Sequence, residues 1–176
     1  MCALGLGFEA VPADVAETPF HDESPRDFAL RVAREKARVI GHRYPQEWIL
    51  AADTVVAVDN LILGKPRGPT EARQMLRRLS GREHLVITAY VISCAARRRT
   101  RMGAEETVVK IKPLTDAEID WYIKTNEPFD KAGAYAIQGC AAFMVEWING
   151  SFTNVVGLPL CQVFDILRHE GLVGSL

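Results

Sequence analysis

The chain has 176 residues, 48% of them hydrophobic, and a formal net charge of −1 at pH 7. This composition can build a sizeable core, and the balanced charge argues against a protein dedicated to nucleic-acid binding. We expect no membrane partner, because no apolar run approaches the roughly 18–20 residues that span a bilayer. The start of the chain lacks the basic segment of a signal peptide, and four scattered cysteines fit a reducing cytoplasm, so a cytoplasmic location is expected.

The first predicted elements are a short strand and a helix. Residues 8–15 are expected to form the strand. Ser24, Pro25 and Asp27 then combine an N-cap residue, a proline in the first turn and an acid near the helix N-terminus. Apolar residues at helical spacing continue this helix to Gly41, which favours its end.

A buried strand and a hairpin are predicted next. Residues 48–58 are apolar and rich in β-branched side chains, and the turn signal after them lets residues 61–63 pair back. Thr70 is expected to cap a second helix that ends at residues 80–81. A further strand is predicted over residues 84–94.

The C-terminal part continues the alternation. Its predicted elements are a strand over residues 107–111, a capping box at 115–118 that opens a third helix, an irregular segment over 126–139, a strand over 142–148, and a helix over 159–169. Interleaved helices, strands and hairpins are typical of an α/β fold with a mixed sheet rather than a purely parallel one. Because the sequence contains no linker, residues 1–176 are expected to form a single domain.

Asp53 is the most informative polar residue, because it stands at the end of the apolar run 48–52. A carboxylate in such a strand is costly unless it is paired or binds a cation, which makes Asp53 a candidate site residue. The alternative is an acid that accepts backbone hydrogen bonds at a strand end.

Four other charged segments each allow a functional and a purely structural interpretation. Lys65, in a Gly-Lys pair, can present an ammonium to a phosphate; the alternative is a solvated turn lysine, and Walker A spacing is absent. The segment 127–139 combines charges, glycines and an amide, which favours a binding role. By pattern alone the run 34–36 is a solvated helix face, and the basic run 97–101 is a solvated hairpin loop rather than a nucleic-acid site.

Taken in order, these segments resemble the Maf family of nucleoside triphosphate pyrophosphatases. The matching stretches are residues 34–37, 52–56, 63–66, 79–81, 127–139, 149–151 and 155–160. The ordered set is highly specific and extends over nearly the whole chain. The resemblance implies a Maf/inosine-triphosphatase-like fold, in which a mixed twisted sheet flanked by helices leaves a cleft between two lobes.

The resemblance also implies an activity, the hydrolysis of a nucleoside triphosphate to the monophosphate and pyrophosphate with Mg²⁺ or another divalent cation such as Mn²⁺. Asp53 matches the family's proton-accepting carboxylate, and Glu17 falls near a second carboxylate, so these two are the implied metal ligands. Lys65 completes the implied catalytic residues. A homodimer is the expected assembly.

The remaining implied residues bind the substrate. Lys36 and Lys131 match lysines around the triphosphate, while Thr54 and Gln138 match positions linked to base choice. Gln138 resembles the branch that prefers dTTP and UTP, because the alternative 7-methyl-GTP branch carries an acid there. A neutral amide both donates and accepts hydrogen bonds, which suits the imide edge of a pyrimidine.

One departure favours an alternative function. The family's N-terminal strand and its Ser-x-Ser-Pro-Arg-Arg loop have no counterpart in this sequence. The alternative is a non-catalytic, nucleotide-binding regulatory member connected with septum formation.

Overall fold

The structure, a computed structural model, describes residues 5–173. The strands of this part are β1 Ile49–Val58, β2 Leu61–Leu63, β3 Glu83–Cys94, β4 Arg99–Ile111 and β5 Val145–Asn149. They form one sheet in the order β2-β1-β3-β4-β5. The α/β class is confirmed, and the sheet is not purely parallel, as expected; every pairing within residues 5–173 is antiparallel.

Helices cover both faces of this sheet. They are α1 Pro25–Arg43, α2 Pro69–Leu79, α3 Asp116–Ile123, α4 Phe152–Val156 and α5 Leu160–His169. The predicted start of α1 is confirmed, because the Ser24 side chain accepts a hydrogen bond from the Asp27 amide. Its predicted end is wrong: Gly41 stays helical, and the chain leaves the helix at Tyr44, whose amide donates to the Ile40 carbonyl.

The hairpin between β1 and β2 is confirmed. Its two turn residues, Asp59 and Asn60, have φ angles of 51° and 60°, the left-handed conformation that a tight hairpin turn needs. The predicted cap of α2 at Thr70 is wrong. The helix begins one residue earlier at Pro69, with Gly68 as N-cap, because proline already has the φ angle of a first helical turn.

Three predicted strands need correction. Residues 8–15 form no strand, and they run as a largely exposed loop. Residues 140–144 form a 3-10 helix, so β5 begins at Val145 rather than at residue 142. In contrast β4 begins at Arg99, well before the predicted residue 107, because it pairs with β3 without interruption from Cys94–Arg99 to Glu83–Lys110. Long-range pairing therefore draws the basic run 97–101 partly into a strand.

The side chains of β1 alternate between the two faces of the sheet, and this alternation determines the face on which each candidate site residue lies. Val55 faces α1 together with Ile87 and Ala89, whereas Val56 faces α2 on the other side of the sheet. Asp53 is on the α1 face, and Thr54 is on the opposite face. Since β2 pairs only with residues 56–58, the edge of β1 before them has no strand neighbour among the described residues. No helix in residues 5–173 is long and apolar enough to cross a membrane.

Candidate active site

An acidic pair joined by one lysine lies between α1 and β1. Lys36 Nζ is 2.7 Å from Asp53 Oδ1 and 2.7 Å from Glu17 Oε1. Asp53 comes from the sheet, Lys36 from the middle of α1, and Glu17 from the loop that precedes α1. The Asp53 side chain is only 10% exposed, whereas that of Glu17 is 43% exposed. The predicted residues Asp53, Glu17 and Lys36 are therefore brought together at one point.

Burial sets the electrostatics of this group. It raises the pKa of the Asp53 carboxyl above its ordinary value, and the adjacent Lys36 ammonium offsets only part of that rise. Burial also lowers the pKa of Lys36 more than any other single influence, but the two carboxylates together outweigh it and raise that pKa. Lys36 thus stays charged, and the Asp53 carboxylate holds a proton more readily than an ordinary aspartate does.

Arg31 holds the loop that carries Glu17. Its guanidinium contacts both carboxylate oxygens of Glu23 at 2.7 and 2.8 Å and donates to the Thr18 carbonyl at 2.9 Å. It also lies over the Phe20 ring, 4.0 Å from the centroid. Since a bidentate arginine fixes both position and orientation, the loop next to Glu17 is anchored on α1. Arg31 could not be recognised from the sequence, because its partners Glu23 and Thr18 are 8 and 13 positions away.

The two loop lysines lie on neighbouring segments. Lys65 follows β2, is exposed, and is close enough for its charge to lower the pKa of Asp53. The Gly133 amide donates to the Gly64 carbonyl at 3.1 Å, which ties the loop of Lys65 to the loop of Lys131. Gly133 has a φ of 69°, and a Cβ there would lie 2.9 Å from Val56 Cγ1. Only glycine lets the second loop come this close to β1.

Glu127 organises the segment that contains Gln138. Its carboxylate accepts hydrogen bonds from the Tyr122 hydroxyl at 2.8 Å and from the Cys140 and Ala141 amides at 2.8 and 3.3 Å. These contacts close the loop on itself, and Gln138 remains exposed within it. Among the described residues, no hydrogen bond joins Gln138 to Asp53.

Thr54 belongs to a polar network on the opposite face of the sheet. Its hydroxyl lies 2.8 Å from that of Thr88, and Thr88 contacts the buried Asn154 through both its amide and its hydroxyl. Asn154 also reaches Thr107 at 2.8 Å. Sequence reasoning missed Thr88, Thr107 and Asn154. The available signal was an amide at Asn154, three residues after the serine that caps α4 and directly before two valines.

Two carboxylates can hold a divalent cation when substrate phosphates complete its coordination, as is usual for Mg²⁺. Asp53 and Glu17 converge on a single point that the Lys36 ammonium reaches, so their oxygens already face one positive charge. No group of three or more His, Cys, Asp and Glu side chains within residues 5–173 is arranged to hold a metal ion by itself. The residues present fit a cation shared with phosphate and not a closed protein cage.

Comparison with known proteins identifies the family. The protein-family model described as Maf-like protein matches residues 1–170 of this chain. The dTTP/UTP pyrophosphatase of Anaeromyxobacter dehalogenans (strain 2CP-1) is 49% identical, over 97% of this chain and 87% of that protein. That of Geobacter sulfurreducens is 47% identical, over 97% of this chain and 90% of that protein. That of Syntrophus aciditrophicus (strain SB) is 44% identical, over 96% of this chain and 82% of that protein. The ordered motifs, the α/β fold and these matches agree, and the chain belongs to the Maf family.

Proposed function

We propose that this chain hydrolyses dTTP and UTP to the monophosphate and pyrophosphate. The observation that carries the proposal is the Asp53–Lys36–Glu17 group, in which a buried carboxylate, an ammonium and a second carboxylate meet within hydrogen-bond distance. Relatives that are 44% and 49% identical are named dTTP/UTP pyrophosphatases, which supports the nucleotide as substrate.

Asp53 is the proposed proton acceptor. Water attacks the α-phosphorus, the bond from that phosphorus to the bridging oxygen breaks, and pyrophosphate leaves with the oxygen. The attacking water gives up its proton to the Asp53 carboxylate. Burial supports this role, because it raises the pKa of Asp53 and so makes the carboxylate a better base.

The lysines supply positive charge for the phosphates. Lys36 is fixed by two carboxylates at 2.7 Å each, so it is already oriented before substrate binds. Lys65 is exposed and Lys131 is partly exposed, and a backbone hydrogen bond ties their two segments together. Cations around the phosphates stabilise the charge that develops on the departing pyrophosphate.

A divalent cation bound by Asp53 and Glu17, Mg²⁺ or Mn²⁺, would neutralise phosphate charge and make the α-phosphorus more electrophilic. The carboxylate oxygens that Lys36 does not engage remain available for it. The metal requirement, like the homodimer implied by the family resemblance, stays a prediction.

Base choice is assigned to Thr54 and Gln138. Both are uncharged and can hydrogen-bond to a pyrimidine ring, and both are at least partly exposed. Thr54 adjoins Asp53 in the chain but faces the other way, so a nucleotide that contacts both must lie across the edge of β1 that precedes Val56.

Pyrophosphate release from dTTP and UTP in the presence of Mg²⁺ or Mn²⁺ tests the proposal. Asp53→Asn should lower kcat by at least about a hundredfold, because the proton acceptor is lost while the shape is kept. Asp59→Asn is the matched control, since Asp59 is an exposed turn carboxylate paired with Arg82, and it should leave the rate unchanged.

Near-native release by Asp53→Asn would show that Asp53 is not the proton acceptor. Nucleotide binding without any turnover by the unaltered chain would instead favour the regulatory alternative. A clear preference for 7-methyl-GTP over dTTP and UTP would reject the assignment of Gln138.

A further inference from the structure

The buried polar network behind Thr54 has a defined hydrogen-bond direction. We propose that Thr88 and Asn154 are positioning residues that engage the proton of the Thr54 hydroxyl, so that this hydroxyl can only accept a hydrogen bond from a ligand. Thr54 then selects a base that presents a ring N–H, as uracil and thymine do. This inference rests on the proposed function, because it assumes that Thr54 meets the base.

The direction of these hydrogen bonds follows from the single hydroxyl proton of Thr88, which can be donated to only one partner. Its Oγ1 lies 2.9 Å from the backbone carbonyl oxygen of Asn154, which can only accept, so Thr88 donates its proton there. The hydroxyls of Thr54 and Thr88 are 2.8 Å apart. Since the proton of Thr88 is already used, Thr54 is the donor of this second bond. Both remaining lone pairs of Thr54 then point away from the network.

Asn154 cannot reverse this arrangement. Its Oδ1 accepts from the Thr88 backbone amide at 3.1 Å, and its Nδ2 donates to the Val86 carbonyl at 3.0 Å and to Thr107 Oγ1 at 2.8 Å. A backbone amide only donates and a backbone carbonyl only accepts, so the side-chain amide has one possible orientation. Thr88, Thr107 and Asn154 are each 0% exposed, so they are shielded from bulk water and bond to one another.

The Thr54 hydroxyl is accessible to a ligand although its proton is committed. The residue is partly exposed and adjoins Asp53 at the edge of β1 that β2 does not cover. A Cβ built on Gly157 would lie 3.5 Å from Thr54 Oγ1, in van der Waals contact, so a side chain at this position would cover part of the hydroxyl that glycine leaves uncovered. The group therefore offers lone pairs to whatever lies against this edge.

An acceptor of fixed direction distinguishes pyrimidines by their ring nitrogen. Uracil and thymine carry a hydrogen on N3 and can donate to Thr54. Cytosine carries a lone pair on N3, so two acceptors would face each other and neither would be satisfied. A site built around a hydrogen bond rejects the base that cannot make it far more strongly than a site built on shape.

Thr88→Val is the decisive variant, because valine keeps the shape of threonine and removes the hydroxyl that receives the Thr54 proton. Freed of that partner, Thr54 can donate as well as accept. The ratio of kcat/KM for UTP to that for CTP should then fall by about tenfold or more. Asn154 O keeps its other bond, from the Gly157 amide at 2.9 Å, so the backbone connection survives. Thr88→Ser retains the hydroxyl and should retain the ratio.

A second pair of variants covers the case in which Thr88→Val does not fold, as judged by thermal unfolding. Thr54→Val removes the acceptor itself and should abolish the preference for UTP, while Thr54→Ser should keep it. A preference that survives Thr88→Val or Thr54→Val overturns the inference. So does a preference lost equally in the valine and serine variants, because shape rather than the hydroxyl would then be responsible.

Equilibrium binding of UMP and CMP separates this inference from the proposed hydrolysis. If the unaltered chain turns over no nucleotide yet binds UMP more tightly than CMP, and Thr88→Val abolishes that difference, the proposed function fails and the inference stands. If the chain hydrolyses UTP and CTP equally well, hydrolysis stands and the inference is overturned. If it neither binds nor hydrolyses these nucleotides, both are overturned.

Discussion

His84 makes the stability of this protein depend on pH below neutrality. The imidazole is 3% exposed; its Nε2 is 2.8 Å from the Tyr135 hydroxyl, and its Nδ1 has no hydrogen-bond partner among the described residues. Protonation would place a charged ring with an unsatisfied donor in the core. Burial accordingly lowers the pKa of His84 from 6.5 to about 4.

The size of the effect follows from that difference. Between 6.5 and about 4 the pKa falls by about 2.5 units, which at about 1.36 kcal/mol per unit corresponds to about 3 kcal/mol. In this interval the unfolded chain binds more protons than the folded one, so the free energy of unfolding rises with pH. The contribution is complete above pH 6.5 and is lost as the pH falls toward 4.

Urea unfolding of the unaltered chain and of His84→Gln, measured from pH 7.5 to about pH 4, isolates this contribution. Glutamine can still bond to the Tyr135 hydroxyl but does not titrate, while all carboxylates are common to both proteins and cancel in the difference. The unaltered chain should lose about 3 kcal/mol more than the variant over this range. Equal losses in the two proteins would show that His84 titrates alike in the folded and unfolded states and contributes nothing to the pH dependence.

Two further predictions concern the loops around the site. Arg31→Ala should release the segment that carries Glu17 and lower kcat/KM for dTTP by about tenfold through misplacement of that carboxylate. Arg26→Ala is the control, because it removes an exposed ion pair with Glu106 and a hydrogen bond to the Ala104 carbonyl but no contact to the segment of Glu17. Equal kinetics in the two variants would contradict the anchoring role. Gly133→Ala should lower the free energy of unfolding by about 2 kcal/mol, because the new Cβ would meet Val56 and alanine would be strained at this positive φ. An unchanged midpoint of urea unfolding would show that the loop can move to accommodate the Cβ.

Local chemistry made much of the fold predictable. Ser24 caps α1, Asp59 and Asn60 form the hairpin turn, and Thr115 with Glu118 forms the predicted capping box, because each of these contacts joins residues close in sequence. The extension of β4 to Arg99 was missed, since a basic and polar strand is stabilised by its neighbour and not by its own composition.

The same distinction applies to the site. Asp53 could be recognised from its apolar surroundings, and the family resemblance indicated Lys36 and Glu17. Arg31 and the Thr88–Asn154 contact could not be recognised, because the latter joins residues 66 positions apart and depends on how α4 docks on the sheet. A carboxylate in an apolar run is conspicuous by itself, whereas a hydrogen-bond direction exists only after folding.

The placement of Asp53 and Thr54 on opposite faces makes strand register a condition of the proposed activity. Nine consecutive pairs, from Ile49–Ser93 to Ala57–Leu85, hold β1 against β3. A slip of one residue would turn the carboxylate toward the threonine network and the hydroxyl toward Lys36. A single-residue insertion or deletion in β1 would therefore exchange the faces on which the Asp53 carboxylate and the Thr54 hydroxyl lie, without altering either side chain. Natural length variation in this strand should be strongly selected against.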